Sequence, residues 1–176
     1  PRVKPPRTVE KGLFEKPTVL NNVETFANVP EIVNMGAEKF KEIGTPNNSG
    51  TKAFALTGNI NNTGLIEVPM GTPLRAIVHD IGGGLPDGKP LKAIQVGGPT
   101  GGYLPASSLD LPIDYEHLSA AETIMGSGSI LVIDGDACIV DQAKYSLSFI
   151  QSESCGKCVF CREGTMQMAE ILTDMT

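Results

Sequence analysis

Between residues 51 and 134 the apolar positions come in short bursts separated by turn residues. Ala53-Phe54-Ala55-Leu56-Thr57-Gly58 and Gly64-Leu65-Ile66-Glu67-Val68 are two such bursts, and Asn59-Ile60-Asn61-Asn62-Thr63 between them predicts a hairpin. Thr72-Pro73 opens a segment with Leu74, Ile77, Val78 and Ile81 on one helical face, which Gly82-Gly83-Gly84 stops. Leu91-Lys92-Ala93-Ile94-Gln95-Val96 and Ser129-Ile130-Leu131-Val132-Ile133-Asp134 predict two more strands. Two strands, a helix and two strands in that order predict an α+β fold, a β-grasp (ubiquitin-like) domain.

The flanks read differently. Residues 1 to about 22 are proline-spotted and basic without a period, and predict an extended strap. A helical stretch follows to about residue 43, with Asn22 as its cap, Pro30 in a first turn and Gly44 as its stop. Thr45 to Gly50 is a linker by composition. After Asp134, Val140, Ala143, Leu147 and Ile150 form one apolar stripe, and Met168, Ile171, Leu172 and Met175 form another on a helix that Thr165 can cap. The expected organisation is a short helical strap over 1–44, a β-grasp domain over 45–136 and a helical segment over 137–176.

Composition narrows the class. The 176 residues are 40% hydrophobic, enough for one ordinary domain with an appendage, and no apolar run is long enough to span a membrane. Twenty acidic residues against 14 basic ones give a net charge of −6, which argues against a nucleic-acid partner. With 20 glycines and 13 prolines the fold should be compact but rich in turns. Pro1 at the start, and a helical pattern still running at Thr176, predict a piece of a longer protein.

The candidate chemistry lies in Glu153-Ser154-Cys155-Gly156-Lys157-Cys158-Val159-Phe160-Cys161-Arg162-Glu163-Gly164. Two-residue spacers let Cys155, Cys158 and Cys161 turn toward one soft metal, Gly156 permits an unusual backbone angle, and Lys157 and Arg162 bring positive charge to the thiolates. Crowding of three of the four cysteines favours a metal site over disulfides, in a reducing compartment. The spacing matches the first three ligands of a bacterial ferredoxin run, but Thr165 stands where that run has its fourth cysteine. A loop between two packed helices would give a cluster a dry protein wall. Cys138 is the in-chain candidate for a fourth ligand, though it also reads as a small buried residue after the last strand. His79 and His117 lack a partner at ligand spacing. An iron–sulfur cluster leads, with zinc or plain thiols as open alternatives.

Other motifs carry less. Gly83 to Pro90 resembles a phosphate loop until Pro90 replaces its hydroxyl residue, and it reads as a loop. Gly97 to Gly102 and Gly126-Ser127-Gly128 lack dinucleotide spacing, and predict close backbone packing or a partner contact. Asn47-Asn48-Ser49 and Asn61-Asn62-Thr63 match glycosylation acceptors by pattern only.

The cysteine motif, together with Lys16-Pro17-Thr18-Val19-Leu20-Asn21-Asn22-Val23-Glu24-Thr25, resembles the NADH- and FMN-binding flavoprotein subunit of respiratory complex I and soluble NAD(P)-linked hydrogenases. The likeness covers nearly the whole chain. Gly58 to Gly84 and Gly97 to Pro105 resemble that subunit's soluble-ligand-binding β-grasp domain, and Met125 to Gly128 with Cys138 to Asp141 look closer to the hydrogenase branch. The resemblance implies an NAD(P)H-dependent oxidoreductase in which electrons pass through FMN to a [4Fe–4S] cluster and on to other electron-transfer subunits of a multi-subunit complex. Cys155, Cys158 and Cys161 match three cluster ligands, with the fourth expected beyond Thr176. Asn21 and Asn22 match the pair that contacts FMN, and on their own read as turn and cap residues. Residues 1–44 then correspond to the tail of a flavin-binding domain and its linker helices. The implied setting is cytoplasmic, with any membrane association made through partners, and the chain alone is expected to be inactive and to lack an intact cluster. Set against this is a ligand-binding or protein-interaction β-grasp module with structural cysteines.

Overall fold

The structure, a computed structural model, describes residues 3–176. The chain divides into two compact units, one ending at Phe40 and one running Lys41–Thr176.

In the first unit, residues 7–18 close on themselves instead of running extended. The Thr18 N–H donates to the Thr8 carbonyl (2.9 Å), the Gly12 N–H to the Lys16 carbonyl (2.8 Å) and the Leu13 N–H to Thr18 Oγ1 (2.9 Å). Helix α1 (Val23–Met35) starts at Asn22, whose Oδ1 accepts from the Glu24 N–H (2.8 Å) and the Thr25 N–H (3.4 Å); this satisfies two donors a helix start leaves open. Pro30 falls inside α1 and not in a first turn, so one backbone donor is missing mid-helix. The expected single helix also breaks at Gly36, φ +89°, before α2 (Ala37–Lys41).

The second unit is built on one sheet. Strand β1 (Thr51–Gly58) pairs antiparallel with β2 (Gly64–Pro69) and parallel with β5 (Ser129–Asp134). On its other side β5 pairs antiparallel with β3 (Leu91–Val96), and β3 with β4 (Gly102–Pro105), giving the order β2-β1-β5-β3-β4. Two hairpins joined by a helical segment, with the first and last strands parallel at the centre, form the expected β-grasp arrangement. The fifth strand, β4, is an addition to the four predicted ones.

Alternation sorts the sheet into two faces. Phe54, Leu56, Val68, Ile94, Val96, Ile130 and Val132 share one core with Leu74, Ile77 and Val78, and with Ile113 and Leu118. Leu118 belongs to a short helix, α3 (Tyr115–Ala120), capped by Asp114 Oδ1 on the His117 N–H (2.8 Å). The segment Ala76–Ile81 is wound as a π-turn, with the Gly82 N–H reaching the Ile77 carbonyl at 2.9 Å. This wider turn carries Ile81 off the predicted stripe and leaves it exposed. The Thr45 to Gly50 linker is also more than a spacer. It is a closed turn in which buried Asn48 donates its side-chain amide to Glu116. The glycine clusters serve close packing, as expected: a Cβ on Gly101 would lie 1.7 Å from the Val96 carbonyl oxygen.

Ala93, Gln95 and Ile133 are buried on the opposite face. There α4 (Ile139–Ser152), which packs on α5 (Val159–Asp174), is joined to β3 and β4 by side-chain hydrogen bonds. Its buried residue is polar: Ser146 Oγ accepts from Gln95 Nε2 (3.3 Å) and bonds the Tyr103 hydroxyl (3.1 Å). Val140, Ala143, Leu147 and Ile150 are half-buried. On α5 Leu172 is half-buried, but Met168, Ile171 and Met175 of the predicted stripe are exposed, because α5 rests chiefly on α4 and that contact is narrower than the stripe.

Candidate metal centre

Helix α4 delivers the chain to the cysteines. At its end the Glu153 N–H donates to the Phe149 carbonyl (3.0 Å) and the Ser154 N–H to the Gln151 carbonyl (3.2 Å), which uses up carbonyls a helix end leaves free. The loop then turns at Gly156, φ +71°, an angle glycine takes without Cβ strain. Both polar groups of this peptide position are held. The Gly156 N–H donates to Ser154 Oγ (3.2 Å), and the Gly156 carbonyl accepts from the Arg162 guanidinium (2.7 Å).

The loop is short. Cys158 occupies the N-cap position of α5, and Cys161 falls in its first turn. Thr165, expected to cap a later helix, is instead buried inside α5, where its hydroxyl donates to the Cys161 carbonyl at 2.6 Å. The helix is capped at Cys158, seven residues before the expected cap at Thr165, because Val159 and Phe160 open it while facing solvent. Phe160 is 93% exposed.

Cys155, Cys158 and Cys161 are all free and exposed, so α4 and α5 do not themselves build the expected dry wall. Among the described residues, no three Cys, His, Asp or Glu side chains are gathered closely enough to hold a metal ion. By donor chemistry, three free thiols within one loop and one helical turn are of the soft type an iron–sulfur cluster takes. Arg162, expected to face the thiolates, turns to Glu163 Oε1 (2.8 Å) and the Gly156 carbonyl. One polar group does meet a sulfur: Ser154 Oγ lies 3.5 Å from Cys161 Sγ. No spacing rule marks Ser154; only its place next to Cys155 hints at it.

The rival ligands are elsewhere. Cys138 is exposed at the N-cap of α4 and is not the buried strand-end residue expected, because Asp134 ends β5 and accepts the Ala137 N–H (3.2 Å) in a turn before it. The 14 residues of α4 separate it from the cysteine loop, a length of about 21 Å at 1.5 Å per residue. His117 bonds Asp114 through Nδ1 (2.8 Å). Asn21 and Asn22 are exposed in the first unit, with Asn21 Oδ1 accepting the Asn22 N–H (2.7 Å). Their oxygens thus perform the turn and cap roles, and these bonds leave the Nδ2 donors unused.

A buried acid, Asp134, lies shortly before α4. It accepts from Lys89 Nζ (3.1 Å) and from the Asn59 amide, and is held below the ordinary carboxylate range chiefly by the Lys89 hydrogen bond, against an opposing effect of burial. Lys89, also paired with Asp136 (2.8 Å), is pushed up by both acids. The pair ties the exit of β5 to the loop before β3.

Comparison with known proteins bears on the segment that carries these cysteines. Residues 141–176 match the family described as NADH-ubiquinone oxidoreductase-F iron-sulfur binding region. The chain is 54% identical over 176 residues to the NADP-reducing hydrogenase subunit HndC of Solidesulfovibrio fructosivorans, covering all of this chain and 36% of that protein. It is 41% identical over 172 residues to the F 2 subunit of the NADH-quinone oxidoreductase of Rhizobium meliloti, covering 98% of this chain and 41% of that protein. Among solved structures, an air-oxidized NAD+-reducing [NiFe]-hydrogenase superposes with a TM-score of 0.81 at 35% identity, over 99% of this chain and 30% of that one. The chain therefore spans 36% to 41% of the length of these two curated relatives. Over nearly its whole length the chain is thus similar to a part of the F-type subunit of NADH-quinone oxidoreductase and of the hydrogenase subunit HndC, and its residues 141–176 match the iron-sulfur binding region.

Proposed function

We propose that this chain is the part of an NAD(P)H-dependent flavoprotein subunit that holds a [4Fe–4S] cluster and passes electrons from FMN to a neighbouring electron-transfer subunit. The observation that carries this reading is the position of Cys155, Cys158 and Cys161. They are free and exposed across one loop and the first turn of α5, inside the segment that matches the iron–sulfur binding region. Such a cluster supplies one-electron transfer after the two-electron chemistry of a nicotinamide and a flavin.

The chain's own residues have definable parts in this reading. Cys155, Cys158 and Cys161 are three ligands, and the fourth comes from outside the described loop. Residues 45–136 are the scaffold that fixes α4, and 137–176 are the ligand-bearing arm. Asn21 and Asn22 contact FMN through the Nδ2 donors that their turn and cap bonds leave unused. The higher identity to a hydrogenase subunit, 54% against 41%, supports the hydrogenase-linked branch.

The test uses the full-length parent protein, reconstituted anaerobically with iron and sulfide and examined by EPR after reduction with NADH. A cluster signal is expected, and it is expected to vanish when Cys155, Cys158 and Cys161 are together replaced by serine. A signal surviving that triple replacement overturns the ligand assignment. Asn21→Ala and Asn22→Ala are each expected to lower FMN retention on gel filtration, and full retention in both removes them from the flavin site.

A further inference from the structure

Resting on that reading, we propose that the Ser154 hydroxyl donates a hydrogen bond to the Cys161 sulfur and thereby raises the reduction potential of the cluster these cysteines hold. Three contacts carry the idea. The Ser154 N–H is tied to the Gln151 carbonyl in the last turn of α4 (3.2 Å). Its Oγ accepts the Gly156 N–H (3.2 Å) and stands 3.5 Å from Cys161 Sγ. One half-buried side chain therefore joins the end of α4, the cysteine loop and the first turn of α5.

The direction of the bond follows from chemistry. In the free thiol either group could donate, but a ligating sulfur is a thiolate with no proton to give. Ser154 Oγ already has one lone pair occupied by the Gly156 N–H, which leaves its hydroxyl hydrogen for the sulfur. A donor aimed at a ligand sulfur stabilises the more negative, reduced cluster over the oxidised one, and hydrogen bonds to the sulfurs are among the factors that set such potentials. The Cys161 backbone is held independently by Thr165 on its carbonyl (2.6 Å), so removing the hydroxyl leaves the ligand's own anchor in place.

The experiment is a potentiometric EPR titration of the reconstituted full-length parent, its Ser154→Ala variant and its Ser154→Thr variant. Ser154→Ala is expected to keep the cluster and to lower its electron affinity about tenfold, a fall of about 59 mV for a one-electron couple. Ser154→Thr, which retains the hydroxyl, is expected to titrate with the unsubstituted protein. An unchanged midpoint in Ser154→Ala overturns the proposal. If Ser154→Ala assembles no cluster, Ser154→Thr decides: an intact cluster at the original potential upholds the hydroxyl's role, and loss in both assigns Ser154 to packing and overturns it. An unsubstituted protein without any cluster signal sinks the proposed function itself, and this inference with it.

Discussion

Replacing Ser146 by alanine tests how α4 is held on the sheet. Ser146 is the buried residue of that helix, and its hydroxyl is the partner of Gln95 Nε2 at 3.3 Å and of the Tyr103 hydroxyl at 3.1 Å. Gln95 is 6% exposed, so its amide donor cannot simply turn to water. A buried donor left unmade costs about 1–3 kcal/mol, while an ordinary neutral hydrogen bond contributes about 1 kcal/mol net. Tyr103 is half-buried, and its hydroxyl can recruit solvent. Ser146→Ala is therefore expected to destabilise the chain by about 2 kcal/mol, and Tyr103→Phe by about 1 kcal/mol at most. Gln95→Met in the Ser146→Ala background removes both ends of the buried bond and is expected to recover most of the loss, a coupling of about 1–2 kcal/mol. The assay is urea unfolding of the 176-residue chain followed by far-UV circular dichroism, with an unchanged m-value as the check that only stability moved. A Ser146→Ala loss below about 0.5 kcal/mol, or strict additivity in the double variant, would refute the pin.

Three other outcomes are expected. Asn22→Ala removes the cap on the Glu24 and Thr25 N–H groups and should cost α1 about 1 kcal/mol, read as faster amide exchange at its first turn; exchange as slow as in the unsubstituted chain would contradict this. Gly82→Ala places a Cβ 2.2 Å from Ile60 Cδ1 and 2.8 Å from the Val78 carbonyl oxygen, at a φ of −74° that any residue tolerates. The expected loss is about 1–3 kcal/mol from overpacking, partly recovered by adding Ile60→Val; a stabilised Gly82→Ala would mean the contact is absent. Acid should weaken the fold through Asp134, whose folded pKa lies below its unfolded value. Its stabilisation is complete above the unfolded value of about 3.9 and disappears as pH falls through the lower folded one. Urea midpoints should then decline below about pH 4, less steeply in Asp134→Asn, and equal slopes would remove Asp134 as the source.

Where the sequence speaks through local periods, it is legible. Strands β3 and β5 announce themselves as apolar runs between turn residues, and the β1–β2 hairpin as two runs across an Asn-rich turn. Strand β4 has four residues, Gly102–Pro105, too few to show a period, and exists because β3 offers it an edge. Ser146 looks like a solvated position in α4, and only tertiary partners bury it. Thr165 misleads for the opposite reason. A threonine before an apolar stripe is a good cap, but the helix nucleates earlier, at Val159, where its exposed side chains give no amphipathic cue. The three cysteines stand out by spacing alone, whereas Ser154 and the Gly156–Arg162 contact depend on loop geometry that no short motif encodes.

The parallel pairing of β1 with β5 has a consequence for assembly in time. Ala55 lies beside Ser129, so the centre of the sheet closes over a loop of roughly seventy residues, a pairing whose closure entropy makes it late. Until β5 has been synthesised and placed, β3 has no inner neighbour and α4 has no floor. The thiols follow β5 by only about twenty residues along a chain that folds as it emerges. Placement of the cysteine loop is thus a late event by topology: α4 docks only once β5 is paired, and a slowly pairing β5 would present those thiols on an unfinished platform.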